Sequence, residues 1–173
     1  NFKKTIKKHL ISDVKTALFL SSGIDSNAIL STTKKLGYKI DTISLGFDEY
    51  KNSKKDELLK IKLILKNYDN QNIIQYVDKE KFYNLKQEIL NKMDQPSIDG
   101  INTFLIANLA KEKKYKVALS GLGGDEIFQG YKTYDHISIM QKINKLNIFL
   151  KPNLYKKLTK FPFSLIGKEK YSY

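Results

Sequence analysis

Two short segments of the chain combine small residues, hydroxyl groups and a carboxylate directly after an apolar run. The first segment is SSGIDS at residues 21–26, and the second is SGLGGDE at residues 120–126. Small residues allow backbone N–H groups to approach an anion, and a helix that starts there directs its positive end towards the same place. The carboxylates of Asp25 and Asp125 could hold Mg²⁺ against phosphate oxygens. The pattern therefore predicts binding of a polyphosphate together with a metal ion.

Each segment taken alone also has an ordinary structural explanation. Asp25 or Ser26 could cap the N-terminus of a helix, and Ser-Ser-Gly is a frequent turn sequence. Neither segment matches the phosphate-binding patterns GxxxxGKS, GxxxxGKT or GxGxxG. Both segments follow predicted strands, however, and the carboxyl ends of parallel strands lie at the edge of a sheet where open α/β sheets bind ligands. We therefore expect Asp25 and Asp125 to share one metal ion on one polyphosphate.

The rest of the chain predicts the elements that would carry these segments. Strand patterns occur at residues 17–20, 38–46, 73–77 and 117–119, and helical patterns occur at residues 2–11, 27–36, 56–67, 79–93 and 101–113. The alternation predicts βαβ units with right-handed crossovers. The expected fold class is α/β, a doubly wound parallel sheet with helices on both faces. Gly37 is expected to end the first crossover helix, and Pro96 to separate the helix at residues 79–93 from that at residues 101–113.

The length of 173 residues favours one main domain. We assign residues 1–134 to the domain that carries both segments. Residues 135–173 are assigned to a C-terminal helical extension, because residues 134–150 look helical. The first residue is not Met, and we expect the chain to be a piece of a longer protein.

The formal net charge of +13 raises the alternative of a nucleic-acid partner. Apart from histidine, every basic side chain is a lysine, and the lysines are dispersed along the chain rather than gathered into a basic arm. Nucleic-acid binders usually also exploit the planar fork of arginine, which this sequence lacks. We therefore expect the charge to attract small anions such as ATP, and nucleic acid is the less favoured partner.

The sequence contains no cysteine, so it has no disulfide, thiolate metal site or cysteine nucleophile of its own. Two histidines, His9 and His136, do not suffice to predict a zinc centre. No apolar run reaches the roughly eighteen residues of a membrane helix, and the N-terminus lacks the apolar core of a signal peptide. We expect a cytoplasmic protein without a membrane partner.

Three motifs together resemble one protein family. SSGIDS resembles the SGGxDS pyrophosphate loop of the ATP pyrophosphatase group. SGLGGDEIFQGY at residues 120–131 resembles the second signature of the asparagine synthase (glutamine-hydrolysing) family. DQPSIDG at residues 94–100 is similar to the segment that precedes that signature. The resemblance covers roughly residues 13–134, and it implies an adenine nucleotide alpha hydrolase-like fold.

The resemblance also implies a reaction and a set of site residues. A carboxylate, aspartate or an aspartate-like acid, attacks the α-phosphorus of ATP; pyrophosphate leaves, and ammonia then attacks the acyl-adenylate to give an amide. The residues implied for ATP are Leu20, Ser21, Gly23, Asp25, Ser26, Leu45, Ser120, Gly121 and Glu126. Asp25 and Asp125 are implied as the catalytic Mg²⁺ ligands. Asp99 and Asn102 are implied to bind the acceptor acid, although Asp99 could instead be a helix N-cap.

The chain departs from the family pattern at three points. Ser22 replaces the second glycine of the loop, and it would cost about 1–2 kcal/mol if that position required a positive φ. Leu122 stands where asparagine synthetases carry an acidic residue beside the adenylate, and a leucine cannot transfer a proton. The glutaminase domain with its N-terminal cysteine is missing, so ammonia would come from a separate domain, a partner subunit or solution.

Two other functions stay open. The first is a tRNA-modifying ligase of the pyrophosphate-loop group, which would give the positive charge a purpose. The second is a catalytically degenerate nucleotide-binding module, suggested by Ser22 and Leu122. A homodimer is also left open.

Overall fold

The computed structural model describes residues 1–95, 97–128, 130, 134, 137 and 141. The helices are α1 (Phe2–His9), α2 (Ile24–Lys35), α3 (Glu57–Leu65), α4 (Lys79–Lys92), α5 (Ile98–Glu112) and α6 (Gly124–Phe128), with a 3₁₀ helix at Asp48–Tyr50. The strands are β1 (Thr16–Phe19), β2 (Asp41–Phe47), β3 (Asn72–Val77) and β4 (Val117–Leu119). None of the helices in this described part combines the length and apolar character needed to cross a bilayer.

The chain packs as two compact units, one of residues Asn1–Leu122 and one that begins at Gly123. The first unit contains the whole described sheet. The predicted helix at residues 134–150 and the extension at residues 135–173 fall almost entirely outside the described residues. The domain boundary at residue 134 therefore stays a prediction.

The four strands form one parallel sheet in the order β3-β2-β1-β4. Each step along the chain from β1 to β3 crosses over through a helix and adds a strand on one side of β1, whereas β4 pairs with β1 on its other side. This arrangement confirms the predicted doubly wound parallel sheet.

The alternation of side chains in β1 explains why both faces of the sheet are covered. Leu18 and Leu20 point to a core formed with α1, α2 and α3, and Ala17 points to a second core formed with α5. The first core contains Ile6, Ile29, Leu30, Ile40, Leu58, Ile61 and Leu65 beside those leucines, and the second contains Ile43, Leu109, Ala110 and Tyr115. Successive strand residues face opposite sides, so one short apolar run supplies both cores.

Two helices begin earlier than the sequence predicts. Gly23 is the N-cap of α2, so Asp25 and Ser26 lie in its first turn and neither is the cap. Ser97 caps α5 by accepting the N–H of Gly100 at 3.2 Å, so Asp99 is not the N-cap either. At the other end of α2, Gly37 has φ of +80°, as expected for the glycine that follows a helix.

The N-terminus of α3 is fixed by a buried carboxylate. Asp56 is 3% exposed, and its oxygens accept hydrogen bonds from the N–H groups of Leu58 and Asn52 and from the hydroxyl of Tyr76 at 2.8–3.0 Å. Burial favours the neutral carboxyl, but the bonds from Asn52, Tyr76 and Leu58 outweigh it and hold the pKa of Asp56 below its ordinary value. Asp56 therefore acts as an ionised cap.

The variant Asp56→Ala is expected to lower the free energy of unfolding by about 2–4 kcal/mol, because a helix cap is lost and buried donors lose their acceptor. Since the folded pKa of Asp56 is lowered, its contribution is complete above the ordinary aspartate pKa and disappears as the pH falls through the lowered one. Urea titrations at several pH values should show the difference between wild type and variant shrinking on acidification. A difference that is independent of pH would contradict this role. Asp78→Ala, at the exposed cap of α4, is the control and should cost about 1 kcal/mol.

Candidate functional site

The carboxyl ends of β1 and β4 lie side by side at the point where the strand order reverses. Leu18 of β1 is in register with Leu119 of β4, so both strands release their following turns at the same level of the sheet. Open α/β sheets bind ligands outside the carboxyl ends of their strands at such a reversal. The turn at residues 20–23 and the turn at residues 120–122 therefore occupy the favoured position for a ligand.

Gly121, in the turn at residues 120–122, directly contacts the start of α2. A Cβ atom built on Gly121 would lie 2.8 Å from the backbone nitrogen of Ser26 and 3.1 Å from Cβ of Asp25. No real side chain is accommodated at 2.8 Å from a backbone atom, so this approach requires a glycine. The structure thereby brings Gly121 of the second predicted segment against Asp25 and Ser26 of the first.

Ser26 stabilises the conformation of the turn at residues 20–23. Ser26 is a buried residue; its hydroxyl accepts the N–H of Ser21 at 3.1 Å and shares its single proton between the carbonyl oxygens of Ser21 and Gly23. The hydroxyls of Ser21 and Ser26 lie 3.0 Å apart, and Ser21 Oγ also accepts the N–H of Gly23 at 3.1 Å. The two hydroxyls that the sequence predicts as phosphate donors are thus bonded within the turn, and their contact with a ligand stays a prediction.

Two further side chains support the turn, and neither was predicted. Asn27 Nδ2 donates to the carbonyl oxygens of Ser21 and Gly23 at 3.0 and 2.6 Å. Ser44 of β2 donates its hydroxyl to the carbonyl oxygen of Leu20 at 2.8 Å. Asn27 directly follows the motif, so its position was a usable signal. Ser44 lies 24 residues from Leu20 in the chain, and no local pattern indicates that contact.

Ser22 does not have the positive φ that would strain its backbone. Outside glycine, positive φ among the described residues occurs at Asn52 and Lys114, so Ser22 adopts a backbone conformation open to any residue. Its N–H donates to Oε1 of Glu57 at 2.6 Å. The replacement of glycine by Ser22 is therefore compatible with the shape of this turn.

The remaining predicted nucleotide contacts differ in exposure. Leu20 is 2% exposed and its side chain belongs to the core, whereas Leu45 is half-buried beside the second core. Asp25 is half-buried in the first turn of α2. The exposed Ser120 accepts the N–H of Leu122 at 3.2 Å, and the side chain of Leu122 is 87% exposed. An apolar side chain thus projects from the turn at residues 120–122, at the position where the resemblance implies an acidic residue.

The predicted acceptor residues lie at the exposed start of α5. Asp99 is in the first turn, where its carbonyl oxygen accepts the hydroxyl of Thr103 at 3.0 Å, and Asn102 is in the following turn. Both side chains are accessible to solvent. Their role in binding an acid stays a prediction.

Asp125 and Glu126 belong to the first turn of α6 in the second unit. The N–H of Gly130 donates to the carbonyl oxygen of Asp125 at 3.0 Å, and a Cβ atom on Gly130 would overlap the Asp125 carboxylate. The sharing of one metal ion by Asp25 and Asp125 stays a prediction. In the part of the chain that the structure describes, no three Asp, Glu, His or Cys side chains form a cluster able to hold a metal ion.

Comparison with known proteins gives one consistent family. The family model described as asparagine synthase matches residues 1–166. The chain is 31% identical over 166 residues to asparagine synthetase (glutamine-hydrolyzing) 1 of Bacillus subtilis strain 168, which covers 95% of this chain and 26% of the relative. It is 31% identical over 185 residues to a protein of Methanocaldococcus jannaschii provisionally named asparagine synthetase (glutamine-hydrolyzing) 2, covering 96% of this chain and 35% of the relative.

A protein of Mycobacterium tuberculosis, provisionally named asparagine synthetase (glutamine-hydrolyzing), is 29% identical over 166 residues, covering 95% of this chain and 25% of the relative. The chain therefore spans between about a quarter and about a third of the length of these relatives. The match accounts for nearly all of this chain and for a minor part of each relative.

Proposed function

This chain belongs to the asparagine synthase family, and we propose that it forms the ATP-binding part of an amide-forming ligase. The observation that carries the proposal is the contact of Gly121 with Asp25 and Ser26. That contact brings the first residues of the SGLGGDE segment against the SSGIDS segment, at the edge of the sheet where open α/β sheets bind ligands. A polyphosphate there would lie near the start of α2, whose backbone N–H groups and helix dipole favour an anion.

The proposed reaction is the adenylation of a carboxylate followed by attack of ammonia. The substrate carboxylate attacks the α-phosphorus of ATP and displaces pyrophosphate, and ammonia then displaces AMP from the acyl-adenylate to give the amide. The turn at residues 21–26 would bind and orient the pyrophosphate, which makes its catalytic contribution one of positioning and charge stabilisation. Leu20, Leu45, Ser120, Gly121 and Glu126 would line the rest of the nucleotide.

The carboxylates fit a role in metal binding. Asp25 is half-buried at the start of α2, and a carboxylate oxygen is a ligand that Mg²⁺ prefers. In the proposal Asp25 and Asp125 hold Mg²⁺, which when bound offsets the charge of the departing pyrophosphate. The assignment of Asp125 comes from its place in the second signature.

The acceptor and the source of nitrogen are proposed from the family. Aspartate or a related acid is the proposed acceptor, with Asp99 and Asn102 as its contacts. Leu122 cannot act as an acid or base, so proton transfer would fall to another group. The relatives are named as glutamine-hydrolyzing, whereas this chain has no cysteine nucleophile. We therefore assign the release of ammonia to a glutaminase domain or partner subunit.

Exchange of radiolabelled pyrophosphate into ATP tests this function. We expect exchange that depends on Mg²⁺ and on aspartate or a related acid, since adenylation is reversible and needs no nitrogen source. ATP binding without exchange, with all candidate acids, would favour a nucleotide-binding module instead. Exchange that depends on added tRNA would favour a tRNA-modifying ligase.

A further inference from the structure

Three consecutive backbone N–H groups in the turn that follows β1, those of residues 21–23, donate to side chains. The N–H of Ser21 donates to Ser26 Oγ and that of Gly23 to Ser21 Oγ, both at 3.1 Å. The N–H of Ser22 between them donates to Oε1 of Glu57 at 2.6 Å. Two of the three acceptors are neutral hydroxyls of the same SSGIDS segment, those of Ser21 and Ser26. The third is a carboxylate from a different helix, and it is the acceptor that most resembles a phosphate oxygen in charge and geometry.

The position of Glu57 is set by the fold rather than by the turn. Glu57 is the first residue of α3, 35 residues after Ser22, and it directly follows the buried cap Asp56. The side chain of Leu58, which comes next, is fully buried in the first core. Rigid neighbours on both sides therefore hold the backbone of Glu57 in place beside the turn.

The carboxylate of Glu57 itself has freedom to leave. Glu57 is exposed, whereas Asp56 and Leu58 are buried, so a change of side-chain rotamer would break the bond to Ser22 without disturbing the core. Within the described residues Glu57 forms no ion pair with a lysine, although the chain has 31 lysines. Its carboxylate instead accepts the backbone N–H of Ser22.

We propose that Glu57 is an internal competitor of the pyrophosphate group, occupying the Ser22 N–H that a phosphate oxygen takes when nucleotide binds. This inference rests on the proposed function, because it takes the turn at residues 21–26 to be the pyrophosphate loop. Glu57 keeps the turn preformed without ligand and lowers its affinity for any anion. Binding of a polyphosphate then requires the carboxylate to swing out towards solvent.

The size of the effect depends on the fraction of molecules in which Glu57 has released the N–H of Ser22. The apparent affinity of a ligand that binds only when Glu57 has left is its intrinsic affinity multiplied by the fraction of molecules in which the Ser22 N–H is free. A hydrogen bond to a charged group is stronger than one to a neutral group by a margin that corresponds to a factor of about five. The variant Glu57→Gln keeps the size of the side chain and an oxygen that can accept the Ser22 N–H, but it removes the charge and so weakens the competing bond. We expect it to bind Mg²⁺–pyrophosphate and Mg²⁺–ATP about fivefold more tightly.

Isothermal titration calorimetry of wild type, Glu57→Gln and Glu80→Gln tests the inference with three ligands. Glu80 is the matched control, because it also lies in the first turn of a helix that follows an aspartate cap. Inorganic pyrophosphate with Mg²⁺ and ATP with Mg²⁺ should both bind Glu57→Gln more tightly. Adenosine, which has no phosphate, should bind all three proteins equally, and Glu80→Gln should match wild type throughout.

The outcomes separate this inference from the proposed function. If wild type binds ATP and Glu57→Gln binds it equally or more weakly, Glu57 is not a competitor and the proposed function stands. An equal gain in Glu80→Gln would reduce the effect to net charge and would also overturn the inference. If no protein binds pyrophosphate or ATP, both proposals fail together.

Discussion

Asp25→Asn and Asp125→Asn are each expected to lower Mg²⁺-dependent ATP–pyrophosphate exchange by about a hundredfold or more. Both carboxylates are proposed ligands of Mg²⁺, and asparagine keeps the size of the side chain while removing the charge that holds the ion. Without the ion, the charge that develops on the departing pyrophosphate is poorly stabilised. The measurement is the initial rate of label exchange at saturating ATP with the acid that supports exchange in wild type.

The control for this pair is Asp69→Asn. Asp69 is an exposed carboxylate paired with Lys39 at 2.6 Å, so the variant loses the same charge at a surface position. It should exchange label at the rate of wild type. Full exchange in Asp125→Asn would remove Asp125 from the metal site, and full exchange in Asp25→Asn would do the same for Asp25. Raising the Mg²⁺ concentration should partly restore the defective variants, which a folding defect would not allow.

Gly121→Ala is expected to weaken ATP binding by about tenfold and to lower the free energy of unfolding by about 1–3 kcal/mol. The added methyl group would lie 2.8 Å from the backbone nitrogen of Ser26, and a backbone atom cannot rotate away as the end of a side chain can. The turn after β4 must therefore move away from the start of α2. Calorimetric titration with Mg²⁺–ATP and urea unfolding of the same sample measure the two effects.

Gly37→Ala supplies the comparison for Gly121→Ala. Gly37 has φ of +80° and a Cβ atom there meets nothing within 4 Å, so alanine is strained but not crowded. We expect it to lower the free energy of unfolding by about 1–2 kcal/mol and to leave ATP binding unchanged. The comparison separates a loss of stability from a loss of the site. Wild-type affinity for ATP in Gly121→Ala would mean that the contact between the turns is not needed for binding.

The fold class and the two turns could be predicted because they depend on short stretches of sequence. Apolar runs such as residues 17–20 predict strands, and the positions of the intervening helices follow from their own periodicity. The predicted starts of α2 and α5, at residues 27 and 101, come later in the chain than the observed starts at Ile24 and Ile98. A helix cap depends on which side-chain oxygen meets which N–H, as Ser97 does with Gly100, and several nearby residues can serve equally in the sequence.

The order of the elements, the family and the residues of the two turns can all be inferred from the amino-acid order alone. Only packing in the folded chain brings β4 beside β1, Gly121 against Ser26, and Glu57 to Ser22. Local periodicity carries no information about the order of strands in a sheet, since that order depends on how crossover helices cover both faces. A contact such as that between Glu57 and Ser22 exists only after the packing of α3 has brought residues 35 positions apart together.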